Sequence, residues 1–271
     1  MKKILSIVLS IMMIMVPLSN VFAIESGKQM VAIGGDLNES QRKTVYDYFG
    51  VSEGSVDEVT VTHDDEKQYL QDVDPSRIGS NSISSIYIET QNEGAGLDIE
   101  LHNINWLTED IYQNALLTVG IKDAKIVIAA PFEVSGTAAL TGVYKAYEQM
   151  SGETVSEEAK EAATEELVTT GELSDDIGSE DASQLVNELK LSIDDFKNMD
   201  DEQVKEEIKN IADGMNISLT DEQLDQLLDL VRSLENVDFS GVMDELKNIS
   251  NQFADLGIWD KIVNFFKGLF N

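Results

Sequence analysis

The chain has 271 residues, 42% of them hydrophobic, and contains no cysteine, which excludes disulfide bonds and cysteine-based metal sites. Its 51 acidic side chains outnumber 19 basic ones and give a formal net charge of −32. Because a field of that sign repels phosphate backbones, we expect no nucleic-acid partner.

Residues 1–23 are typical of a secretory signal peptide. Lys2 and Lys3 precede an apolar run over 4–16, and small residues lead up to Ala23. A charged start, a short apolar middle and a small-residue cleavage site mark such segments, so we predict cleavage after Ala23. No cysteine follows that site, and no second apolar run is long enough to span a bilayer. The sequence therefore predicts a secreted or extracytoplasmic chain with neither a lipid anchor nor a transmembrane helix after cleavage.

Residues 24–150 alternate between strand-like and helix-like apolar spacing, which predicts an α+β or α/β domain. The segment "NEGAG", residues 92–96, predicts a hairpin loop between the third and fourth strands. Strands are expected at 29–33, 56–62, 83–89, 97–103 and 125–130. Helices are expected to begin at Asn38, at Thr62 or His63, at Thr108 and at Thr137.

Residues 151–271 carry apolar side chains at helical spacing, which predicts a mainly helical domain that ends in an amphipathic helix. Thr220, with Gln223 three positions later, predicts a capping box at the start of one of these helices. The expected apolar stripes are Leu185, Leu189, Ile193 and Phe196; Val204, Ile208, Ile211 and Met215; Leu224, Leu227, Leu228 and Val231; and Val242, Leu246, Ile249 and Phe253.

The junction Ser135-Gly136-Thr137 joins a predicted strand to a predicted helix. It lacks the G-x-S-x-G pattern of a nucleophile elbow and the lysine of a phosphate-binding P-loop. A hydroxyl there can cap the helix, and the alternative is an anion site at the helix N-terminus. The small residues Ala138, Gly142 and Ala146 recur every four positions, which predicts close packing of this helix against its neighbours.

Asp98, Glu100 and His102 alternate along a predicted strand and therefore share one face of it. Two carboxylates and an imidazole are the ligand types of a divalent metal site. The alternative is that these residues form the solvent-exposed face of an ordinary half-buried strand. We expect no organic cofactor.

The C-terminal segment 257–271 is unusually apolar for such an acidic chain. Two interpretations stay open: closure of the helical core, or contact with a partner protein or a membrane surface. Peripheral membrane contact would use this helix. The candidate contact residues are Trp259, Ile262, Phe266 and Phe270.

Four stretches resemble, in order, a known family. They are "TVTHDDEKQYL", "RIGSNSISSIYIE", the long block "NINWLTEDIYQNALLTVGIKDAKIVIAAPFEVSGTAALTGVYKAYE" and "GMNISLTDEQ". They resemble the YpuA-like family of secreted proteins from Gram-positive bacteria, domain of unknown function 1002. The resemblance implies an extracytoplasmic location and assigns no reaction, ligand or catalytic residue to any position.

From these features we expect an exported cell-envelope or extracellular protein that acts by binding an unknown protein or envelope component. The sequence contains no complete catalytic set. One alternative is a secreted hydrolase that uses paired carboxylates, because two acids at a suitable separation suffice for glycoside hydrolysis. A cation-responsive cell-wall protein is the other.

Overall fold

The computed structural model describes residues 25–69 and 81–253, which form a five-stranded mixed sheet followed by a mostly helical second half. The strands are β1 (Gln29–Gly34), β2 (Asp57–Val61), β3 (Ser85–Thr90), β4 (Leu97–Ile104) and β5 (Ala124–Val134). The helices are α1 (Glu39–Phe49), α2 (His63–Tyr69), α3 (Glu109–Thr118), α4 (Ala138–Ser151), α5 (Glu157–Ile177), α6 (Ser179–Leu191), α7 (Ile193–Phe196), α8 (Asp201–Gly214), α9 (Asp221–Leu234) and α10 (Met243–Phe253). The predicted signal peptide and the candidate contact residues after position 253 lie outside the described residues.

The strand order is β2-β1-β3-β5-β4. β1 pairs with β2 and β4 with β5 in parallel, whereas β3 is antiparallel to both of its neighbours. Four strands therefore run in one direction and end at the same side of the sheet. We call that side the carboxyl edge; it contains the ends of β1, β2, β4 and β5.

The predicted hairpin between β3 and β4 is wrong, because β5 lies between them and pairs with both. β5 is buried on both faces from Ile126 to Ala130, as is typical of a central strand, and its backbone pairs with β3 on one side and β4 on the other. β4 alternates between exposed and half-buried residues and can stand at an edge. The loop 92–96 has hairpin composition, but composition alone does not determine which strands pair.

The sheet is covered on both faces. One face packs on α1 and the other on α3 and α4. Gly142 in α4 faces the sheet so closely that an added Cβ would lie 3.3 Å from Ala32 Cβ and 3.4 Å from Ile86 Cγ1. Ala138 and Ala146 are buried on the same helix.

The helical second half buries the apolar stripes that its sequence predicts, from Leu185 on α6 to Leu246 on α10. The two halves share side chains. Ala163 and Leu167 of α5 join the core beneath the sheet, whereas Leu117 of α3 joins the helical core. The predicted division into two domains at residue 151 is therefore not confirmed.

Local capping follows the sequence at several helix ends. Asn38 caps α1 through a capping box with Gln41, and α1 ends at Gly50, which has a left-handed backbone with φ of +69°. Thr220 and Gln223 form the predicted capping box of α9. Within the described ranges, no helix combines the length and apolar character that a bilayer crossing requires.

Candidate functional site

Gly34, the last residue of β1, and Gly35 after it bring three strands together at the carboxyl edge. An added Cβ on Gly34 would lie 2.9 Å from the Ser82 carbonyl carbon and closer still to its oxygen. One on Gly35 would lie 3.1 Å from the Val61 oxygen. The Gly35 N–H donates to that oxygen at 2.8 Å, and the Gly34 N–H donates to Ser85 Oγ at 2.9 Å. The bare backbone therefore lets β1, β2 and the start of β3 meet closely.

Four polar side chains gather around this meeting point, and we call them the Glu66 cluster: Asp36, His63, Glu66 and Ser82. Asp36 follows the two glycines, and its Oδ2 accepts from the Ser82 N–H at 2.8 Å. His63 and Glu66 lie one turn apart on α2, with 3.8 Å between His63 Nδ1 and Glu66 Oε2. In α/β sheets, ligands bind outside the carboxyl ends of neighbouring parallel strands, which is where this cluster lies.

Glu66 is fully buried, and neither carboxyl oxygen accepts a hydrogen bond from any residue that the structure describes. Burial raises the pKa of Glu66. The neighbouring Ser82 and His63 side chains lower this pKa in part, and the negative charge of Asp36 raises it further. The Ser82 hydroxyl and His63 Nδ1 are likewise buried without a hydrogen bond to a described residue. Because burial disfavours the charged form of a carboxyl group, the pKa of Glu66 lies above its ordinary range.

The neighbouring carboxylate, Asp65, has the opposite electrostatics. Its Oδ2 accepts from Lys145 Nζ at 2.8 Å and from the Thr62 N–H and hydroxyl at 2.7 Å each. Burial works against the ionised form, but the hydrogen bonds from Lys145 and Thr62 outweigh it and lower the pKa of Asp65. Lys145 also donates to the Thr60 carbonyl at 2.9 Å, so this ion pair ties α4 to β2 and α2.

The other end of the carboxyl edge, where β4 and β5 finish, is irregular. His102 pairs with Ala129 and Ile104 with Val134, so Asn103 alone faces the four residues 130–133. Asn103 adopts a left-handed backbone with φ of +58°. Its Nδ2 donates to the Ala130 carbonyl at 2.7 Å, which holds the bulge in place.

Aromatic side chains surround this bulge. The Tyr48 ring of α1 stacks on His102 with 4.4 Å between centroids and 15° between planes, and its hydroxyl accepts from Asn103 Nδ2 at 3.3 Å. Phe132 lies within the bulged segment of β5. Tyr48 is 37% exposed and Phe132 is 49% exposed. We call Tyr48, His102 and Phe132 the aromatic rim.

A metal site at Asp98, Glu100 and His102 stays a prediction, and the geometry of the described residues does not favour it. No group of three or more potential ligands is assembled within the described ranges. Glu100 instead pairs with His102 at 2.8 Å, and His102 also stacks on Tyr48. Residues four apart on a strand are separated by about 13 Å, so Asp98 and His102 cannot reach one ion.

At the junction Ser135-Gly136-Thr137, the predicted hydroxyl cap does not come from Thr137. Thr137 has helical backbone angles and its side chain makes no capping hydrogen bond, because the first turn has already begun there. Gly136 has φ of +99°, and its carbonyl accepts from the Tyr112 hydroxyl at 2.7 Å. An added Cβ at Gly136 would collide with that hydroxyl, so the glycine is required sterically. Capping by Ser135 and the anion alternative stay predictions.

A second buried polar cluster joins α3, α5 and α6, and the sequence analysis missed it. Lys190 Nζ donates to Glu166 Oε1 at 2.8 Å, to the Asn114 carbonyl at 2.9 Å and to Thr118 Oγ1 at 3.3 Å. Both charged side chains are fully buried. Burial lowers the pKa of Lys190, and Glu166 opposes that shift. The available signal was the position of Lys190, four residues after Val186 on the apolar side of its helix.

The Glu66 cluster was also missed, although the glycine pair after an apolar strand was a usable signal. Its members come from three separate segments of the sequence, and only the folded sheet brings them together. Tyr48 and Phe132 were not singled out either, because isolated aromatic residues in a sequence do not reveal their exposure.

These features define the class of protein: a mixed α/β sheet extended by helices, with exposed aromatic side chains at one end of its carboxyl edge. The chain belongs to the DUF1002 family, described as proteins of unknown function, whose model matches residues 33–253. It is similar to the uncharacterized protein YpuA of Bacillus subtilis strain 168, with 38% identity over 280 aligned positions that cover 95% of this chain and 96% of the relative. No solved structure matches it.

Proposed function

We propose that the chain is an exported protein that binds another protein or envelope component through the aromatic rim and catalyses no reaction. One observation carries this proposal. Among the described residues, the exposed large hydrophobic side chains are Tyr48 and Phe132, and both lie at the β4–β5 bulge.

Exposed aromatic side chains are the residues that most often anchor protein interfaces. Single exposed hydrophobic residues are ordinary, but here two adjoin one bulge whose geometry is held by Asn103. Bulges re-aim side chains and are enriched beside functional sites. The rim offers contact area, and its one imidazole lies 2.8 Å from Glu100 Oε1.

Export through the segment 1–23 is part of the proposal, as is peripheral membrane contact through Trp259, Ile262, Phe266 and Phe270. The charge of −32 supports a partner that is not a nucleic acid. Expression in Bacillus subtilis followed by N-terminal sequencing of the extracytoplasmic form tests export, with Ile24 expected as the first residue. A product that keeps Met1 and stays in the cytoplasm contradicts it.

In-cell photocross-linking tests the binding surface. Benzoyl-phenylalanine placed at Phe132, and separately at Tyr48, should give the same cross-linked partner after illumination. The matched control is the same substitution at Glu206, an exposed position on α8. A common partner at both rim positions and none at the control supports the proposal. Equal cross-linking at all three positions, or none at the rim, contradicts it.

A hydrolase with paired acids is the second candidate, and Glu66 is the observation that favours it. A buried carboxyl with a raised pKa and an exposed acid, Asp36, beside it resembles an acid–base pair. Glu66 is closed to solvent, however, so a substrate would need the site to open. Carbodiimide coupling to an amine, read by mass spectrometry, distinguishes the two candidates: labelled Glu66 favours the hydrolase, and labelling of exposed Glu202 but not Glu66 favours binding.

A further inference from the structure

β4 stands at the end of the sheet, and within the described part of the chain it pairs only with β5. A strand in that position has unpaired backbone N–H and C=O groups along its outer side, which can accept another strand. Proteins that avoid such pairing usually shorten, twist or cover the edge strand, or place charges or a bulge on it. β4 is eight residues long, so it offers several consecutive backbone groups.

The two faces of β4 differ in a way that restricts what can bind. Leu97, Ile99 and Leu101 pack partly against the core. The alternate residues Asp98 and Glu100 are exposed, and they lead towards the stacked rings of His102 and Tyr48. Side chains on one face of a strand recur every second residue, so an added strand would place its own alternate side chains beside these groups.

Charge indicates the kind of partner. Glu133 in the bulge is exposed and adds a third carboxylate to Asp98 and Glu100. Among the β5 residues that pair with β4, the lysine is Lys125, which lies opposite Asp98. A second copy of this chain would place the same carboxylates at the interface, and its own net charge of −32 would add to the repulsion between the two chains. Like charges placed opposite one another are unfavourable, so a basic partner fits and a second copy does not.

We propose that the outer side of β4 binds an extended, basic segment of a partner protein as an added strand. This inference rests on the proposed binding function and names the partner's chemistry. Lysine or arginine at alternate positions of that segment would lie beside Asp98 and Glu100. The next residue on the same face would contact the Tyr48 ring, where a flat or cationic side chain is favoured.

The test uses the full chain and two fluorescent peptides, one alternating lysine with valine and one alternating glutamate with valine. We expect the lysine peptide to bind and the glutamate peptide not to bind, by fluorescence anisotropy. The double variant Asp98→Asn/Glu100→Gln should weaken binding of the lysine peptide by about tenfold. The control, Glu202→Gln/Glu206→Gln, removes the same charge from exposed positions on α8 and should weaken it by less than about twofold.

Amide hydrogen exchange separates strand addition from general attraction between opposite charges. The lysine peptide should slow exchange in residues 97–104 and leave α8 unchanged. Equal weakening in the two double variants, or no slowing in 97–104, overturns the inference. A dimer through β4 in the absence of peptide, seen by sedimentation, also overturns it. The photocross-linking at Phe132 is independent of these outcomes, so the proposed function can stand when this inference fails.

Discussion

The two ends of the carboxyl edge differ in what they leave accessible. At the β1–β2 end, Glu66 and Ser82 are fully buried, and neither the Glu66 carboxyl oxygens nor the Ser82 hydroxyl makes a hydrogen bond to a described residue. At the β4–β5 end, Tyr48 and Phe132 are exposed, and the polar groups around them are paired. The buried carboxyl group with a raised pKa lies at the β1–β2 end, whereas the β4–β5 end carries exposed aromatic surface. An exposed aromatic surface favours binding, and a buried carboxyl group cannot contact a substrate in this conformation.

The contrast also separates stability from function. The β1–β2 end depends on close backbone contacts, so changes there should destabilise the fold. The β4–β5 end projects into solvent, so changes there should affect binding and leave stability nearly unchanged. Glu166, a buried carboxylate that is paired with Lys190, gives the reference for what loss of a partner costs in unfolding free energy.

The largest effect is expected for Lys190→Met. This change leaves Glu166 buried without its cation, which costs about 3–5 kcal/mol of unfolding free energy. Urea unfolding measures it. The double variant Lys190→Met/Glu166→Leu removes both charges and should recover most of the loss. A loss below about 1 kcal/mol in the single variant would show that Glu166 does not depend on Lys190 for its stability in the buried, charged form.

Gly34→Ala should destabilise the β1–β2 end by about 3 kcal/mol, because the new Cβ would press on the Ser82 carbonyl. Thermal unfolding measures the shift. The matched control is Gly241→Ala, where no atom lies within 4 Å of the new Cβ and no positive φ is involved. If both variants melt at the same temperature, β1 and Ser82 are not in close contact.

Glu66→Gln should become more stable relative to the original chain as pH rises. Burial raises the folded-state pKa of Glu66, so the folded state binds the proton more tightly than the unfolded state. The original chain therefore loses stability as pH rises above the ordinary carboxyl range of about 4.5, and glutamine does not.

We expect the unfolding free energy of Glu66→Gln to rise relative to that of the original chain between pH 4.5 and pH 7, measured by urea unfolding at both values. Glu93→Gln, in an exposed loop, is the control and should show no such trend. If the unfolding free energies of Glu66→Gln and the original chain differ by the same amount at the two pH values, Glu66 ionises as readily in the folded state as in the unfolded state.

Phe132→Ser should change stability least, by less than about 0.5 kcal/mol, because the ring is half exposed and buries little surface. Cross-linking or peptide binding should nevertheless fall. Phe49→Ser is the matched control: that ring is buried under the sheet and its loss should cost about 3–5 kcal/mol. A large drop in melting temperature for Phe132→Ser would assign the ring to the core.

Local sequence signals predicted the parts of the fold that depend on neighbouring residues. Asn38 caps the helix that it was expected to begin, Thr220 forms the expected capping box, and the stripe from Leu185 to Phe196 is buried as its spacing predicted. Strand pairing was not predictable in the same way. The turn-like loop at 92–96 favoured a hairpin, but the burial of β5 on both faces places it between β3 and β4.

The polar clusters could not be predicted because their members are distant in sequence. With 51 acidic residues, nothing local distinguishes Glu66 or Glu166 from the exposed carboxylates around them. The alternation of Asp98, Glu100 and His102 was real, but alternation places residues on one face without bringing four-apart positions within reach of one ion. Exposure of Phe132 depends on a bulge that only the paired strands reveal.

The most direct test of the central claim compares how much of the chain is retained in the envelope fraction of Bacillus subtilis. Tyr48→Ser/Phe132→Ser and Glu66→Gln are expressed at equal levels beside the original chain. We predict that the rim variant is lost from the envelope fraction while Glu66→Gln is retained like the original. Retention of the rim variant together with loss of Glu66→Gln would contradict the account and move the functional site to the β1–β2 end.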